Sequence, residues 1–202
     1  MATAALAEGK EARLVEIAHA HIRKFGHART TVVGVAADAG MTHANVYRYF
    51  PSRIALLDEV VAASLRPLER LLSDAVNGAD PAHDKLERML MALHRDYRAR
   101  LDDDPALFEL MIETTVKNRA SARKHRSRVQ LDIQHVVEDG IASGGFAMTD
   151  RRHAMSLIFD AGHRFVHPVA MKLDKDAVPS AVETRFESVL AMVLRAMRTG
   201  RV

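Results

Sequence analysis

Four consecutive residues, Thr42-His43-Ala44-Asn45, carry a hydroxyl, an imidazole, a methyl group and an amide. These groups can read base edges in the major groove of DNA, where an asparagine amide pairs with adenine and an alanine methyl contacts the methyl of thymine. All four side chains are small or polar, so a backbone that carries them can approach a duplex closely. We therefore expect Thr42, His43, Ala44 and Asn45 to contact bases, with a simple helix-capping role as the alternative for Thr42.

Tyrosines and arginines follow at once, in Tyr47-Arg48-Tyr49 and at Arg53. Phenol and guanidinium groups donate hydrogen bonds to phosphate oxygens, and such contacts fix register without carrying sequence information. The tyrosines could instead only cover a small core, as Phe50 is expected to do. Their position beside two arginines on a short helix favours phosphate contact, with Arg48 ranked below Tyr47.

The N-terminal quarter of the chain is basic. Residues 10–53 hold seven Lys or Arg against three acids, whereas the whole chain has a formal net charge of +3. A basic surface of this kind attracts phosphates and accelerates the encounter with DNA. On charge alone, a solvated helix surface explains the pattern equally well.

Local signals predict short helices around these residues. A first helix with an apolar face ends at Gly26, Thr31 can cap a second helix, Gly40 suits a left-handed turn, and Thr42 can cap a third helix that runs to about Phe50. Helices this short must pack on one another, which is the arrangement of a helix-turn-helix. The predicted inward face of the first helix comprises Leu14, Ile17, Ala18, His21, Ile22 and Phe25.

The remainder also has a helical pattern, and no alternating run predicts a sheet. We expect an all-α protein of about nine helices, with a DNA-binding domain at residues 1–52 and a larger helical domain at 53–202. One continuous helix, about Ser52–Leu71, should join the two domains. The later helices are predicted at 81–101, 105–117, 120–143, 150–172 and 179–198, between Gly, Pro and Asp breaks.

The segment Thr30–Arg53 resembles the helix-turn-helix of the tetracycline-repressor (TetR) family, and the resemblance extends from about Leu14 to Leu57. Its specific elements are the turn at Ala36 to Gly40, the run Val46-Tyr47-Arg48-Tyr49-Phe50 and the junction Pro51-Ser52-Arg53. The resemblance implies a dimeric transcriptional regulator, by default a ligand-responsive repressor of a palindromic operator. It also implies phosphate contacts from Thr31, Tyr47, Tyr49 and Arg53.

Two positions depart from the family pattern. The second helix has Val33 and Gly34 where members of the family usually have a basic residue and an acid. Gly34 costs about 1 kcal/mol of helix propensity relative to alanine, so this helix should depend on packing. Arg53 replaces the usual lysine, and we expect phosphate binding to be retained.

The larger domain, by the same resemblance, binds an effector and dimerises through its last two helices. Both of these helices have an apolar stripe, although packing within one chain would produce the same periodicity. A helix-turn-helix needs two half-sites for useful affinity, which favours the dimer. The residues predicted at the dimer interface are Phe159, Gly162, Phe165, Val166, Phe186, Val189, Leu190, Val193, Leu194 and Met197.

Central helices of the larger domain should line a pocket for a small, largely apolar effector. The predicted lining is Met89, His94, Tyr97, Phe108, Met111, Ile112, His135, Phe159 and His163, each of which could also be plain core. Asp160, His163 and His167 have a spacing that could hold a metal. Packing and hydrogen bonding are the commoner roles for such residues, so no metal and no cofactor are predicted.

Other classes of protein have little support. The chain has no cysteine, which excludes disulfides and thiol catalysis and fits a reducing cytoplasm. We find no phosphate-binding glycine loop, nucleophile elbow or His-Glu-x-x-His pair, so an enzyme is not expected. No membrane partner and no secretion signal are predicted. The alternatives are an activator of the same fold, or a helical small-molecule-binding protein with degenerate DNA binding.

Overall fold

The computed structural model describes the backbone of residues 2–201 and the side chains of residues 9–201. Within that part of the chain it contains ten α-helices and two short 3-10 turns, at His27–Arg29 and Lys172–Asp174, and no strand, so the all-α prediction is confirmed. The helices are α1 Ala2–Phe25, α2 Val32–Asp38, α3 His43–Tyr47, α4 Arg53–Val76, α5 Ala82–Asp103, α6 Pro105–Val116, α7 Ala120–Ala142, α8 Arg151–Val166, α9 Pro168–Met171 and α10 Pro179–Thr199.

The chain divides into two compact units. The first comprises the chain up to Arg66 together with Asp103–Arg123, and the second comprises Pro67–Asp102 together with the chain from Lys124 onward. The first unit therefore contains α6 as well as the predicted DNA-binding helices, and α6 packs on α1 and on the first 3-10 turn. Division into domains at residue 52 stays a prediction.

The first unit has a small apolar core beneath short, capped helices. Leu14, Ile22, Val35 and Val46 are all at most 1% exposed. Phe25, the last residue of α1, is the exception on the predicted inward face, because it is 38% exposed. The Lys24 ammonium lies 5.0 Å from the centroid of its ring.

Helix α4 is continuous, as expected, and longer than predicted. It starts at Arg53, where the Ser52 hydroxyl accepts a hydrogen bond from the Ala55 amide, and it contains Pro67. A proline inside a helix removes one backbone hydrogen bond and clashes with the carbonyl four residues earlier. Pro67 lies at the boundary between the two units, although the helix continues through it.

The predicted helix at 150–172 is wrong in one respect, because it breaks at His167. This residue has an extended backbone (φ −113°, ψ 119°) and precedes Pro168, which begins the separate helix α9. Proline disfavours the helical conformation of the residue before it, which explains the break.

Candidate nucleic-acid interface

The start of α3 presents the predicted base-reading residues to solvent. Thr42, His43, Ala44 and Asn45 are all exposed, whereas Val46 behind them is fully buried. The Thr42 hydroxyl accepts a hydrogen bond from the Asn45 amide nitrogen at 3.3 Å, so its capping role is confirmed. Capping leaves the side chains of His43, Ala44 and Asn45 available for a ligand.

Helix α3 ends at Tyr47, earlier than the predicted Phe50. Tyr47 is 46% exposed and its ring meets that of His43 edge-on, with 6.5 Å between ring centroids. Tyr49 is half-buried, and Phe50 is 4% exposed and belongs to the core, as expected. Tyr47 is therefore the more accessible of the two predicted phosphate ligands.

The turn between α2 and α3 is fixed by backbone geometry. Gly40 has φ +66°, its amide bonds to the Ala37 carbonyl at 3.1 Å, and the Met41 amide bonds to the Ala36 carbonyl at 2.9 Å. This pair of bonds is a Schellman motif, in which glycine occupies the left-handed position at low cost. At the other end of α2, the Thr31 hydroxyl accepts from the Gly34 amide at 3.1 Å, while the Thr31 side chain stays exposed.

Close approach of His21 accounts for Gly34. A Cβ atom on Gly34 would lie 3.1 Å from Cε1 of the His21 ring, which is tighter than ordinary van der Waals contact. The same ring extends along α2 to Asp38, with 2.6 Å between Nε2 and the carboxylate. A side chain at position 34 would require this ring to move by a few tenths of an ångström, which glycine avoids. Val33 is 64% exposed, and nothing in the structure explains it.

Arg53 has a role that the sequence did not predict. Its Nε donates to the Thr30 carbonyl at 2.6 Å, and its Nη2 donates to the carbonyls of Ala28, at 3.2 Å, and His27. These bonds fasten the turn before α2 to the start of α4. The phosphate contact predicted for Arg53 stays a prediction, and the guanidinium already has three partners within the unit.

An ionic cluster at the end of α6 supports the same turn. Glu113 accepts from Arg119 at 2.5 Å and from Lys117 at 3.0 Å, and lies 2.7 Å from Nε2 of His27. These neighbours, Lys117 first, hold the pKa of Glu113 below its ordinary value. The His27 side chain thus bonds to α6 while its carbonyl bonds to Arg53, so α6 and the helix-turn-helix are connected through one residue.

The residues predicted to line an effector pocket are distributed over both units. Phe108, Met111 and Ile112 lie on α6 in the first unit, and the first two are buried. Met89, His94 and Tyr97 are buried in the second unit, and Phe159 is half-buried there. His135 and His163 are exposed, so in this chain neither lines an enclosed cavity.

His94 is a structural residue in this fold. It is 1% exposed, and its Nδ1 lies 2.8 Å from the Phe165 carbonyl in the last turn of α8. Helix termini leave such carbonyls without a partner within the helix. The ring also packs on Phe165 and Phe186, with centroids 6.2 and 5.1 Å away. The imidazole therefore gives a hydrogen-bond partner to a carbonyl at the C-terminus of α8, the helix end that precedes Pro168.

Tyr97 belongs to a buried hydrogen-bond chain that sequence reasoning missed. Its hydroxyl lies 2.6 Å from Nε2 of His125, and Nδ1 of His125 lies 2.8 Å from Oε1 of Glu69. The other oxygen of Glu69 accepts from Arg128 at 2.7 Å. The hydrogen bond from His125 lowers the pKa of Glu69, and burial raises the pKa of Tyr97. This chain connects α4, α5 and α7.

The alternative metal site is not assembled. Among the described residues, no group of three or more His, Cys, Asp or Glu side chains is arranged to hold a metal ion. The rings of His163 and His167 instead stack on each other, with 4.6 Å between centroids. Burial and the neighbouring His163 lower the pKa of His167.

The stripes predicted to form the dimer interface face inward. Helices α8 and α10 pack on each other within one chain, and the rings of Phe165 and Phe186 stack at 4.8 Å. Burial of most of these side chains within the second unit favours the alternative, packing within one chain, and their assignment to the dimer interface stays a prediction. The buried members are Gly162, Phe165, Phe186, Leu190, Val193, Leu194 and Met197, whereas Phe159, Val166 and Val189 are half-buried.

The capped helix pair and its exposed polar start have the form of a helix-turn-helix, in a chain that also contains a larger helical unit. Residues 14–60 match the family described as "Bacterial regulatory proteins, tetR family", and residues 82–190 match "Tetracyclin repressor-like, C-terminal domain". The chain belongs to the TetR family. The sequence-based predictions of fold and of a DNA-binding transcriptional regulator are confirmed.

Two relatives show how far the sequence similarity extends. The chain is 25% identical over 179 residues to the HTH-type transcriptional regulator YhgD of Bacillus subtilis, covering 84% of this chain and 91% of the relative. It is 34% identical over 110 residues to the HTH-type transcriptional repressor KstR of Rhodococcus jostii, covering 54% of this chain and 49% of the relative.

Solved structures share the fold. A TetR-family regulator from Mesorhizobium loti superposes with a TM-score of 0.70 at 16% identity, covering 94% of this chain and 96% of that one. FadR from Bacillus subtilis, in complex with stearoyl-CoA, superposes with a TM-score of 0.66 at 18% identity, covering 90% of this chain and 96% of that one. No described helix of the present chain is both long enough and apolar enough to cross a bilayer.

Proposed function

We propose that this chain represses transcription by binding a palindromic operator as a homodimer, and that a small-molecule effector releases it. The observation that carries the proposal is the exposed row His43, Ala44 and Asn45 on a helix whose cap and turn are fixed. In a helix-turn-helix, the N-terminal residues of the second helix enter the major groove. Two copies would place these helices about 34–36 Å apart, one turn of DNA.

Replacing Asn45 by alanine should weaken binding to the operator about fivefold to 150-fold, because a bidentate amide contact to a base is worth about 1–3 kcal/mol. The salt dependence of binding should stay unchanged, since no phosphate contact is removed. The measurement is a gel shift with DNA from upstream of the gene, at several salt concentrations.

Asn77→Ala is the matched control, because Asn77 is an exposed asparagine of the second unit that bonds only to its own helix, at the Ser73 carbonyl. Equal operator affinities of the Asn45 variant and wild type would show that Asn45 does not contact a base. Failure of the wild-type dimer to bind any palindrome there would overturn the regulator proposal. A reporter gene behind the same DNA distinguishes repression from activation by the sign of its response.

The outward faces of α8 and α10 are our proposed dimer interface. Opposite the buried stripes lie Ser156, Asp160 and His163 on α8, and Ser188 and Met192 on α10, all exposed. Met192 is the most exposed large apolar residue on these two helices, at 72%. A closed two-fold pairing of such faces would cover it and would match the two-fold symmetry of a palindrome.

Met192→Glu should convert the dimer into monomer at micromolar concentration, because two like charges would face each other across a two-fold axis. Leu173→Glu is a matched control, since Leu173 is also 72% exposed but lies in the turn before α10. Sedimentation velocity measures both variants. A Met192 variant that remains a dimer, or a Leu173 variant that dissociates equally, would move the interface elsewhere.

The effector is proposed to be small and largely apolar. The second unit has an open groove of about 370 Å³ lined by Leu71, Met89, Met91 and Ala92, with arginines at its edge. Met89 was among the predicted pocket residues, and methionine adapts to irregular apolar ligands. An effector that binds better to a DNA-incompetent state weakens operator binding by its differential affinity. A thermal-shift screen of acyl and steroid compounds, followed by gel shift, would identify it.

A further inference from the structure

A second cleft lies in the second unit, between the first turns of α5 and the last turns of α10. Its volume is about 470 Å³. His83 and Glu87 contribute from α5, and Ala191, Leu194, Arg195, Arg198 and Thr199 contribute from α10. None of these residues belongs to the predicted pocket, and only Leu194 was predicted at the dimer interface.

Two arginines in this cleft have no acidic partner. Arg195 and Arg198, one helical turn apart, are exposed and form no ion pair with any residue that the structure describes. By contrast, Arg88 and Arg95 on α5 are paired with carboxylates at 2.5 and 2.6 Å. Glu87 lines the cleft but reaches neither arginine. Two guanidinium groups that line the same cleft without a counter-charge can bind an anion through several N–H donors.

The remaining walls determine what kind of anion fits. Leu194, 8% exposed, and Ala191 give the cleft an apolar floor. The N-terminus of α5 favours negative charge and the C-terminus of α10 disfavours it. Because the two helix dipoles have opposite effects, the side chains determine which charge the cleft prefers. The volume exceeds that of one phosphate group and leaves room for an organic part over Leu194.

We propose that this cleft binds a small organic phosphate. Arg195 and Arg198 hold the phosphate oxygens, His83 supplies a further donor, and the organic part packs on Leu194. Guanidinium forks match phosphate geometry better than a point charge does. Glu87 repels the anion, which keeps the affinity modest, and it can accept a hydrogen bond from a ligand hydroxyl. The site is separate from the operator-reading surface.

The test is a calorimetric titration with phenyl phosphate at constant ionic strength. Arg195→Gln/Arg198→Gln should weaken binding at least about tenfold, and Glu87→Gln should strengthen it about threefold, since each tenfold corresponds to about 1.4 kcal/mol. Inorganic phosphate should bind more weakly than phenyl phosphate, because it lacks the apolar part.

Arg70→Gln/Arg152→Gln is the matched control, because it removes two exposed arginines of the same unit that do not line the cleft. An equal loss of phenyl phosphate affinity in this control would show that only the net charge matters. If wild type shows no saturable binding, the site is rejected. Unchanged affinity in the Arg195/Arg198 variant would place the ligand elsewhere. Operator binding without phosphate should be the same for the three variants and wild type, which separates this outcome from the repressor proposal.

Discussion

Replacing Glu69 by leucine should lower the free energy of unfolding by about 3 kcal/mol, because it leaves buried hydrogen-bonding groups without partners. His125, 7% exposed, would lose the acceptor for Nδ1 while Nε2 stays bonded to Tyr97. Arg128 is mostly exposed and can return to water, so it adds little. Urea denaturation followed by circular dichroism measures the change.

The control is Glu187→Leu, an exposed glutamate on α10, whose change should stay within about 0.5 kcal/mol. Glu69→Gln separates hydrogen bonding from charge, since it keeps one acceptor oxygen for His125. Because the pKa of Glu69 is lowered in the folded state, its charge stabilises the fold above the ordinary glutamate pKa of about 4.3, and this stabilisation is lost as the pH falls through the folded value. The difference between wild type and Glu69→Gln should therefore shrink as the pH falls below the ordinary glutamate pKa. A difference that is independent of pH would contradict the ionic role.

Arg53→Lys should lower the free energy of unfolding by about 2 kcal/mol although the charge is kept. The planar guanidinium donates to three carbonyls, those of His27, Ala28 and Thr30, and a lysine ammonium cannot reach all of them. Operator binding should weaken because the turn before α2 loosens. Its salt dependence should match that of wild type, since the number of cationic groups is unchanged.

This variant distinguishes the two roles of Arg53. If phosphate contact were its main role, lysine would preserve both stability and operator affinity, and such a result would contradict the structural role. Arg48→Lys serves as the matched control, because Arg48 is exposed and its side chain has no partner among the described residues. Chemical denaturation and gel shift on the same protein samples give both quantities.

The helix-turn-helix could be predicted because its signals are local. Thr31, Thr42 and Ser52 each accept the hydrogen bond expected of an N-cap, and Gly40 adopts the expected positive φ. Such caps act within three residues of sequence, so their types and spacing suffice. The break at His167 was equally local, and Pro168 was the signal that should have predicted it.

Features that depend on distant residues could not be predicted. Glu69 and His125 are 56 positions apart, and no pattern in either helix indicates that they meet. The apolar stripes of α8 and α10 illustrate a second limit, because periodicity identifies one face of a helix but does not say whether its partner is the same chain or another. Burial of Phe186 and Leu190 shows that the inner face packs within this chain, which favours that alternative.

Because His21 contacts Gly34, the effect of a substitution at one of these positions on stability depends on the residue at the other. In isolation, alanine at position 34 would improve α2 by about 1 kcal/mol of helix propensity. The His21 imidazole lies 3.1 Å from the position of that methyl group. The ring must therefore move, or be replaced by a smaller side chain, before the gain in helix propensity is realised. A smaller residue at position 21 would also remove the hydrogen bond to Asp38, whose largely exposed side chain limits the loss of stability. The effects of substitutions at positions 21 and 34 are therefore coupled, and we expect the double variant to differ from the sum of the two single variants.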